Sequence, residues 1–396
     1  MTATPRNVAS LASPDGGGGS WRDRLKGPAV FTLVAVVALV VAPMLLEPFR
    51  LGLLAKYLCF GIVALGIGLA WGQGGMLTLG QGVFFGLGGY AMGMYLKLHD
   101  AGGDLPDFMV WSGVEKLPAL WAPFGNPLFA IAFAVAGPAI LAFLLGMLVF
   151  RQRVRGAYFA ILTQALAAAT VILLVGQQGL TGGTNGLTNF FDLFGQDLAA
   201  DQTQRGLYLV VAAVLGLLYL LAWQLVRSRF GRLLVAIRDG EDRVRFLGYN
   251  PATVKTITFA VSAGMAGLAG ALFVPVVGII SPALLGVVPS LELVVAVAVG
   301  GRFSLAGAVL GAVLMGYAKT AFSEQFADGW LYLQGALFIL VISLAPKGVF
   351  GLAAAARDQL AARMPRRTPR TTGPVAPGGQ SEDRSAPLIE VPEPRA

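Results

Sequence analysis

Long apolar runs recur along most of this chain, and each is close to the length that a helix needs to cross a bilayer. A transmembrane helix takes about 20 apolar residues, and only helices and closed barrels satisfy every backbone hydrogen bond in lipid. We therefore predict an all-α polytopic membrane protein. The predicted full-length spans are residues 29–46, 51–71, 76–96, 127–150, 156–176, 206–226, 254–279, 304–321 and 330–346.

The composition supports this class and argues against several others. Of the 396 residues, 56% are hydrophobic and only 13% are charged, whereas soluble domains carry about 25% charged residues. A single cysteine, Cys59, and a single histidine, His99, rule out an intrachain disulfide and a Cys/His metal cluster within one chain. We predict no metal, no cofactor and no catalytic site. The net charge of +8 is interpreted as loop charge of a membrane protein, so no nucleic-acid partner is expected.

The charges of the loops predict the topology. Loops rich in Lys and Arg stay on the cytoplasmic side. Residues 151–155 and 227–255 are rich in arginine, whereas the loops 98–126 and 178–204 are acidic. Both termini lie on the cytoplasmic side only if the number of membrane crossings is even. This requires that the shorter apolar run 291–300 also crosses. We therefore predict about ten transmembrane helices, including this one short broken helix, with the N and C termini both cytoplasmic.

Three parts are predicted along the chain. Residues 1–28 form a polar cytoplasmic N-terminal segment, and residues 29–352 form the transmembrane domain, which contains a charged cytoplasmic segment at 227–253. Residues 353–396 are rich in Arg, Pro and Gly without a hydrophobic period, which predicts a disordered cytoplasmic tail. The basic half of the tail can contact anionic membrane lipid, and a merely solvated tail is the alternative.

A few small or polar residues within the spans are candidates for the solute path or for gating. Gly300 and Gly301 break the short run, and broken helices occur where they line a cavity or are buried in protein. A tight helical hairpin without a transport role is the alternative. Glu292 is expected in the first turn of the short helix, where a carboxylate favours the helix dipole. The other candidates come from one glycine-rich span: Thr78, Gln81 and Tyr90.

The most charged stretch of the chain is SRFGRLLVAIRDGEDRVRFLGYNP, residues 228–251. Its first part places apolar residues on one helical face, and Gly240 then interrupts the helix. Asp239 is expected to cap a second short helix. Val244 and Leu247 are expected on one side of it, and Gly248 to end it. The residues of the first apolar face are Phe230, Leu233, Leu234 and Ile237.

Mixed acids and bases surround this apolar face, which favours burial in a groove of another protein over burial in the membrane surface. Packing of the face within the chain itself is the alternative. Arg238, Glu241 and Asp242 are expected to orient the contact from its rim.

Several motifs together resemble the permeases of the branched-chain amino acid ABC importer family over most of residues 50–350. They are FGRLLVAIRDGEDRVRFLGYNP, LGQGVFFGLGGYAMGMYL, GGTNGLTNF, VAVGGRFSLAGAVLGA and LAPKG. PDFMV at 106–110 and RDGEDRVRFLGYNP at 238–251 most resemble the urea-type permease of this family. Gln81 departs from that subgroup, which usually has His there, and Arg302-Phe303 stands where the family commonly has a Gly.

The resemblance implies a multi-pass permease subunit of the bacterial cytoplasmic membrane that forms half of a solute path and has no catalytic site of its own. The implied partners are a sister permease, two ATP-binding subunits and an extracytoplasmic solute-binding protein. The implied solute is urea or a short amide, with a branched-chain amino acid permease or an ATP-independent urea channel as alternatives. The candidate residues for coupling to the ATPase are Phe230, Leu233, Ile237, Arg238, Glu241, Asp242, Leu247 and Gly248.

Overall fold

A computed structural model of the chain describes residues 43, 45–323, 329–344 and 348. All of them belong to one unit. The predicted segments 1–28 and 353–396 lie outside the described residues, as does most of the predicted span 29–46.

Four long helices make up the first part of the described chain. The elements are α1 (Pro48–Ile67) with a π-helical turn (Gly68–Gln73), α2 (Gln81–Asp100), the short α3 (Asp107–Trp111), a 3-10 turn (Ala122–Gly125), α4 (Pro127–Arg151) and α5 (Ala157–Gly176).

Two long helices flank the charged segment in the second part, and a helical hairpin follows them. The elements are α6 (Gln178–Thr181), β1 (Leu187–Thr188), β2 (Asp192–Leu193), β3 (Gln196–Asp197), α7 (Asp201–Arg227), α8 (Arg229–Phe246), α9 (Pro251–Val277), β4 (Ile279–Ile280), a 3-10 turn (Pro282–Leu285), α10 (Val287–Gly300), α11 (Leu305–Ser323) and α12 (Trp330–Leu344).

Six helices of the described part are long and apolar enough to cross a membrane, namely α1 with its π turn, α4, α5, α7, α9 and α11. The run predicted at 291–300 lies within the shorter apolar helix α10. The only strands among the described residues are four of two residues each. This mostly helical architecture is compatible with an all-α polytopic membrane protein. The count of ten helices and the sides of the two termini stay predictions.

The charged loops lie at opposite ends of the helix bundle. At the end that we call the basic end, Arg155 of the α4–α5 loop contacts Glu241 of α8, with 3.2 Å between Nε and Oε2. At the other end, called the acidic end, Trp121 Nε1 donates to the carbonyl of Leu180 at 2.9 Å. The last turn of α1 reaches the basic end, where Gly72 accepts a hydrogen bond from Arg238.

Helices α1 and α9 form the centre of the bundle and run in opposite directions. In each of these two helices, 72% of the most apolar 18-residue segment is buried inside the protein. The corresponding share is 22% in α4, α5 and α7. Each central helix is followed by a stretch without α-helix, at 74–80 and 278–286, and then by a helix that begins inside the protein. Such inverted pairs of interrupted segments are typical of transporters.

The predicted span 76–96 begins too early, because α2 starts only at Gln81. Residues 77–80 have no helical turn, and Gly75 lies in the left-handed region with φ of 69°. A side chain is rarely tolerated at such a φ. The glycines of this stretch therefore form a connection rather than the first turns of a helix.

Helices α10 and α11 form a tight hairpin. The helix break predicted at Gly300 and Gly301 is confirmed, since α10 ends at Gly300 and Gly301 has φ of 117°. A Cβ on Gly300 would lie 2.0 Å from the carbonyl oxygen of Gly307. Only glycine permits this approach of the two backbones, which is the small-residue packing of membrane helices.

Candidate functional site

A buried polar cluster lies where the first residues of α2 and α10 meet. Gln81 Nε2 donates to Ser262 Oγ of α9 at 2.8 Å, and the backbone N–H of Gly82 donates to Ser290 Oγ of α10 at 3.1 Å. Gln81, Ser262 and Ser290 are all fully buried. The cluster therefore joins the two interrupted segments to the central helix α9.

Three predicted path residues carry buried oxygens that have no hydrogen-bond partner in the described part of the chain: Thr78 Oγ1, Gln81 Oε1 and Tyr90 OH. Buried polar groups are normally paired, so these oxygens can accept hydrogen bonds from water or from a solute. Thr78 and Gln81 flank the start of α2. Tyr90 lies nine residues further along the helix, about 13 Å away, so the structure does not bring it to the cluster.

Sequence reasoning did not identify Ser262 and Ser290. Each is a single hydroxyl in an otherwise apolar stretch, VSAGM or VVPSL. Serine is common in transmembrane helices for packing alone, so neither stretch distinguishes a path residue. The only sequence signal is the position of Ser290 directly after Pro289, near the start of the short helix.

The expectation for Glu292 is wrong in its local geometry. Helix α10 begins at Val287, because Pro289 fits the first turn of a helix, and this places Glu292 beyond that turn. Its carboxylate instead accepts from Lys319 Nζ of α11 at 2.7 and 2.8 Å. Glu292 therefore links the two arms of the hairpin.

Glu292 also lines a cavity of about 260 Å³. Lys56, Glu292 and Lys319 supply the charges of its wall, and Phe60, Phe85 and Phe273 supply aromatic surface. Gln334 contributes a buried Oε1 that lacks a hydrogen-bond partner among the described residues. The remaining lining residues are Tyr57, Val277, Ile279, Leu284, Pro289, Leu293, Ala296, Ala312, Met315, Gly316 and Thr320.

The charged segment forms α8 at the basic end. Ser228 caps the helix by accepting from the N–H of Gly231 at 3.3 Å, and the backbone leaves helical geometry at Gly240, as predicted. Gly248 has φ of 87° and follows the last helical turn, which confirms the predicted stop. The Asp239 carboxylate, expected to cap the second half, instead accepts from Arg238 Nε at 2.8 Å.

The apolar face of α8 is covered by this chain, which is the alternative that the sequence left open. Leu234, Ile237 and Val244 are buried against Val254 of α9, and Phe230 and Leu233 are half-buried against the same cluster. Ile237 is 2% exposed and so is not available as a direct contact for a partner. The face is covered because α8 folds back onto the first turn of α9 after a four-residue loop.

A different apolar group is exposed at the C-terminal end of α8. Phe246 is 91% exposed, Leu247 76% and Tyr249 55%. Leu247 was expected on the side of Val244, which is buried. Residue 247 lies after the end of the helix, so the helical spacing no longer applies to it.

Arg238 and Glu241 turn towards the transmembrane helices rather than lying on a rim. Arg238 Nη1 donates to the carbonyl of Gly72 at 2.8 Å. Glu241 is 11% exposed at its side chain and lies 2.6 Å from Lys255 Nζ of α9. Asp242 remains exposed and accepts from Arg155. This hydrogen bond lowers the pKa of the Asp242 carboxyl and raises the pKa of Arg155.

Residues 49–342 match the family described as branched-chain amino acid transport system / permease component. The chain belongs to this family. Membership agrees with the interrupted helices and the buried polar cluster, and it implies a sister permease and ATPase partners. The chain is therefore an ABC permease component and a multi-pass protein of the bacterial inner membrane.

Relatives in this permease family cover most of the chain. The high-affinity branched-chain amino acid transport system permease protein LivM of Salmonella typhimurium is 27% identical over 81% of this chain and 74% of its own. LivM of Escherichia coli is 27% identical over 80% of this chain and 74% of its own. LivH of Salmonella typhimurium is 24% identical over 74% of this chain and 91% of its own. No solved structure shows a significant match.

Proposed function

We propose that this permease imports urea or short amides as half of a binding-protein-dependent ABC importer. The observation that carries the proposal is the buried neutral cluster of Gln81, Ser262 and Ser290, with Thr78 three residues before Gln81 in the chain. Thr78 and Gln81 hold acceptor oxygens that have no partner among the described residues. The resemblance of residues 106–110 and 238–251 to the urea-type permease favours the same solute.

The chemistry of the cluster suits a small neutral amide. Urea presents N–H donors on both sides of one carbonyl acceptor. Thr78 Oγ1 and Gln81 Oε1 can accept from its amino groups. The N-terminal ends of α2 and α10 carry partial positive charge and can favour its carbonyl oxygen. A neutral solute then crosses without the desolvation of an ion.

The proposed path runs from the acidic end to the basic end. The acidic end would face outwards, where β1 pairs with β4 and orders the loop that carries the GGTNGLTNF motif. This loop is the proposed docking surface for a solute-binding protein. The basic end would face the cytoplasm and dock two ATP-binding subunits, which hydrolyse ATP.

The proposed docking surface at the basic end is the exposed apolar group Phe246, Leu247 and Tyr249. Exposed aromatic side chains next to charges are typical of interface anchors. Asp242 and Arg243 are exposed in the same half of α8. An ATP-independent channel would not need such a surface.

The solute is tested by uptake of labelled urea and labelled leucine in a strain that lacks its own routes for both. The complete set of partner subunits is expressed with the permease. Saturable, ATP-dependent urea uptake is expected, and a Gln81→Leu variant is expected to lower it. Saturable leucine uptake without urea uptake would contradict the urea assignment.

The second candidate solute is a branched-chain amino acid. Two observations favour it: the names of the relatives, and the cavity where Lys56, Glu292 and Lys319 lie beside aromatic surface. Charges of both signs beside apolar wall suit a zwitterion with an aliphatic side chain. On this alternative, Glu292→Gln lowers leucine uptake strongly, whereas on the urea proposal the Gln81 variant has the larger effect.

A further inference from the structure

The break at Gly240 divides α8 into two halves whose charged side chains contact different parts of the membrane domain, while apolar residues of both halves pack against Val254 of α9. Arg238 lies near the end of the first half, and Glu241 begins the second. Both side chains point back into this chain, although the sequence predicted rim contacts for both. Their partners show what each half can move.

Arg238 holds three separate elements at one point. Its Nη1 donates to the carbonyl of Gly72 in the π turn of α1 at 2.8 Å, and its guanidinium lies 5.3 Å from the ring centroid of Phe303 in the α10–α11 loop. A Cβ on Gly75 would lie 2.9 Å from Arg238 Cγ. The stretch 74–80 therefore also rests on this side chain.

The elements that Arg238 contacts are also bonded to each other. Gln73 Nε2 donates to the carbonyl of Phe303 at 3.1 Å, and a Cβ on Gly72 would lie 1.8 Å from the carbonyl oxygen of Arg302. The end of α1 and the hairpin loop consequently form one unit, and Arg238 attaches α8 to it.

The second half of α8 is held by the ion pairs of Glu241. Glu241 contacts Lys255 at the start of α9 at 2.6 Å and Arg155 of the α4–α5 loop at 3.2 Å. It also pairs with Arg245 of its own helix at 3.0 Å. These contacts anchor the second half to α9, which is one of the two central helices.

We infer that Arg238 is the positioning residue through which movement of α8 reaches both walls of the polar cluster. The stretch 74–80 leads directly to Thr78 and Gln81, and the hairpin leads along α10 to Ser290. A displacement of α8 that turns its first half about the break at Gly240 moves these two walls through the contacts of Arg238. The inference rests on the proposed coupling role of α8.

Arginine is suited to this position for a physical reason. A planar guanidinium can donate to a carbonyl, pair with the neighbouring carboxylate of Asp239 and lie against an aromatic ring at the same time. A lysine ammonium is a compact point charge and cannot make all of these contacts together. Arg238→Lys is therefore expected to be only a partial replacement.

The test uses the complete transporter in proteoliposomes and compares Arg238→Gln with Arg232→Gln. Arg232 is the matched control, since it is an exposed arginine of the same helix whose Nη1 donates to the carbonyl of Arg227, at 3.2 Å, and to no other transmembrane helix in the described part of the chain. The measurements are recovery of the ATPase subunits, the rate of ATP hydrolysis and the amount of solute moved per ATP.

Arg238→Gln is expected to recover the ATPases and hydrolyse ATP while moving roughly tenfold less solute per ATP, as suits the loss of a charge-assisted hydrogen bond. Arg232→Gln should keep the wild-type ratio. An unchanged ratio in Arg238→Gln overturns the inference, and so does loss of the ATPases from that variant, because Arg238 would then be a docking contact. Failure of the wild-type permease to recover ATPases would instead overturn the proposed function.

A second variant covers the case in which Arg238→Gln does not accumulate in the membrane. Phe303→Leu removes the ring beneath the guanidinium and leaves the hydrogen bond to Gly72. A lower amount of solute per ATP with normal hydrolysis supports the inference. A wild-type ratio in Phe303→Leu contradicts it.

Discussion

Glu241 has the most charged neighbours of any side chain at the basic end, among the residues that the structure describes. Its carboxylate contacts Arg155, Arg245 and Lys255, and both it and Lys255 have side chains that are 11% exposed. Charges in such surroundings are costly to leave unpaired. The local sequence shows the acids and bases but not which of them meet.

Glu241→Gln is expected to destabilise the basic end, because it leaves Lys255 and Arg155 without their shared carboxylate. Removing one partner of a buried pair costs roughly 3–5 kcal/mol. The measurement is thermal unfolding in detergent, with Asp242→Asn as the control on the adjacent, exposed carboxylate. Equal shifts for the two variants would show that the burial of Glu241 contributes nothing.

The ion pair of Asp242 and Arg155 predicts a pH dependence. The hydrogen bond from Arg155 lowers the pKa of Asp242 below its ordinary value of 3.8. A carboxyl whose pKa is lower in the folded state stabilises the fold above the unfolded-state value, and this stabilisation is lost as the pH falls through the folded-state value. As the pH falls from about 5 to about 2, wild type should therefore lose more stability than Asp242→Asn. A parallel loss in both proteins would contradict the pair.

Gln81→His tests the polar cluster. His is the residue expected at this position from the resemblance to the urea-type permease, and its ring can either donate to Ser262 or accept from a solute. Urea uptake is expected to persist in Gln81→His and to fall in Gln81→Leu, which keeps the size but lacks both groups. Equal uptake by the two variants would remove Gln81 from the path.

At the scale of elements, α8 shows that a helical face can be identified correctly and assigned to the wrong neighbour. The spacing of its apolar residues indicates one helical face, and the structure has that face. The sequence favoured a groove on another protein, whereas the start of α9 covers it. The groups available for docking are Phe246, Leu247 and Tyr249, which lie beyond the helical pattern or at its edge.

Two sets of substitutions on α8 separate packing from docking. Ile237→Ala should lower the stability of the permease by about 2–5 kcal/mol, the range for truncating a buried aliphatic side chain. Phe246→Ala with Leu247→Ala should leave thermal unfolding nearly unchanged and reduce recovery of the ATPases. The measurements are thermal unfolding and co-purification. Normal ATPase recovery in the double variant would exclude this surface as the docking site.

For the whole molecule, burial separates a central pair of helices from an outer set. Helices α1 and α9 are enclosed, whereas α4, α5 and α7 leave most of their apolar surface uncovered by the described residues. Uncovered apolar helices require lipid or a partner subunit. The enclosed pair thus holds the buried polar cluster, and the outer helices offer apolar surface to lipid or to a partner subunit.

The orientation of the whole molecule is tested by single cysteines. Cys59 is buried and free, so Cys59→Ala provides a background without an accessible thiol. Asn185→Cys at the acidic end and Arg243→Cys at the basic end both replace exposed residues. An impermeant maleimide should label the first from outside intact cells and the second only after the membrane is opened. The reverse pattern would invert the proposed topology.

The sequence by itself determined the features that depend on residues close together in the chain. Apolar runs marked most of the spans, Gly300 and Gly301 marked the end of α10, and Gly248 marked the end of α8. Each of these is decided by a local backbone preference or by the length of a run. No distant partner is needed to form them.

Only the tertiary structure decided which side chains meet. Gln81 and Ser262 are 181 residues apart in the chain, and Arg238 is 166 residues from the carbonyl that it holds. Glu292 likewise finds Lys319 on the other arm of the hairpin. A polar side chain in an apolar helix forms its hydrogen bonds with whichever polar group the packing brings near it. That packing depends on how closely backbones lined with glycine approach each other. The residue types were therefore visible in the sequence, but their partners depended on the fold.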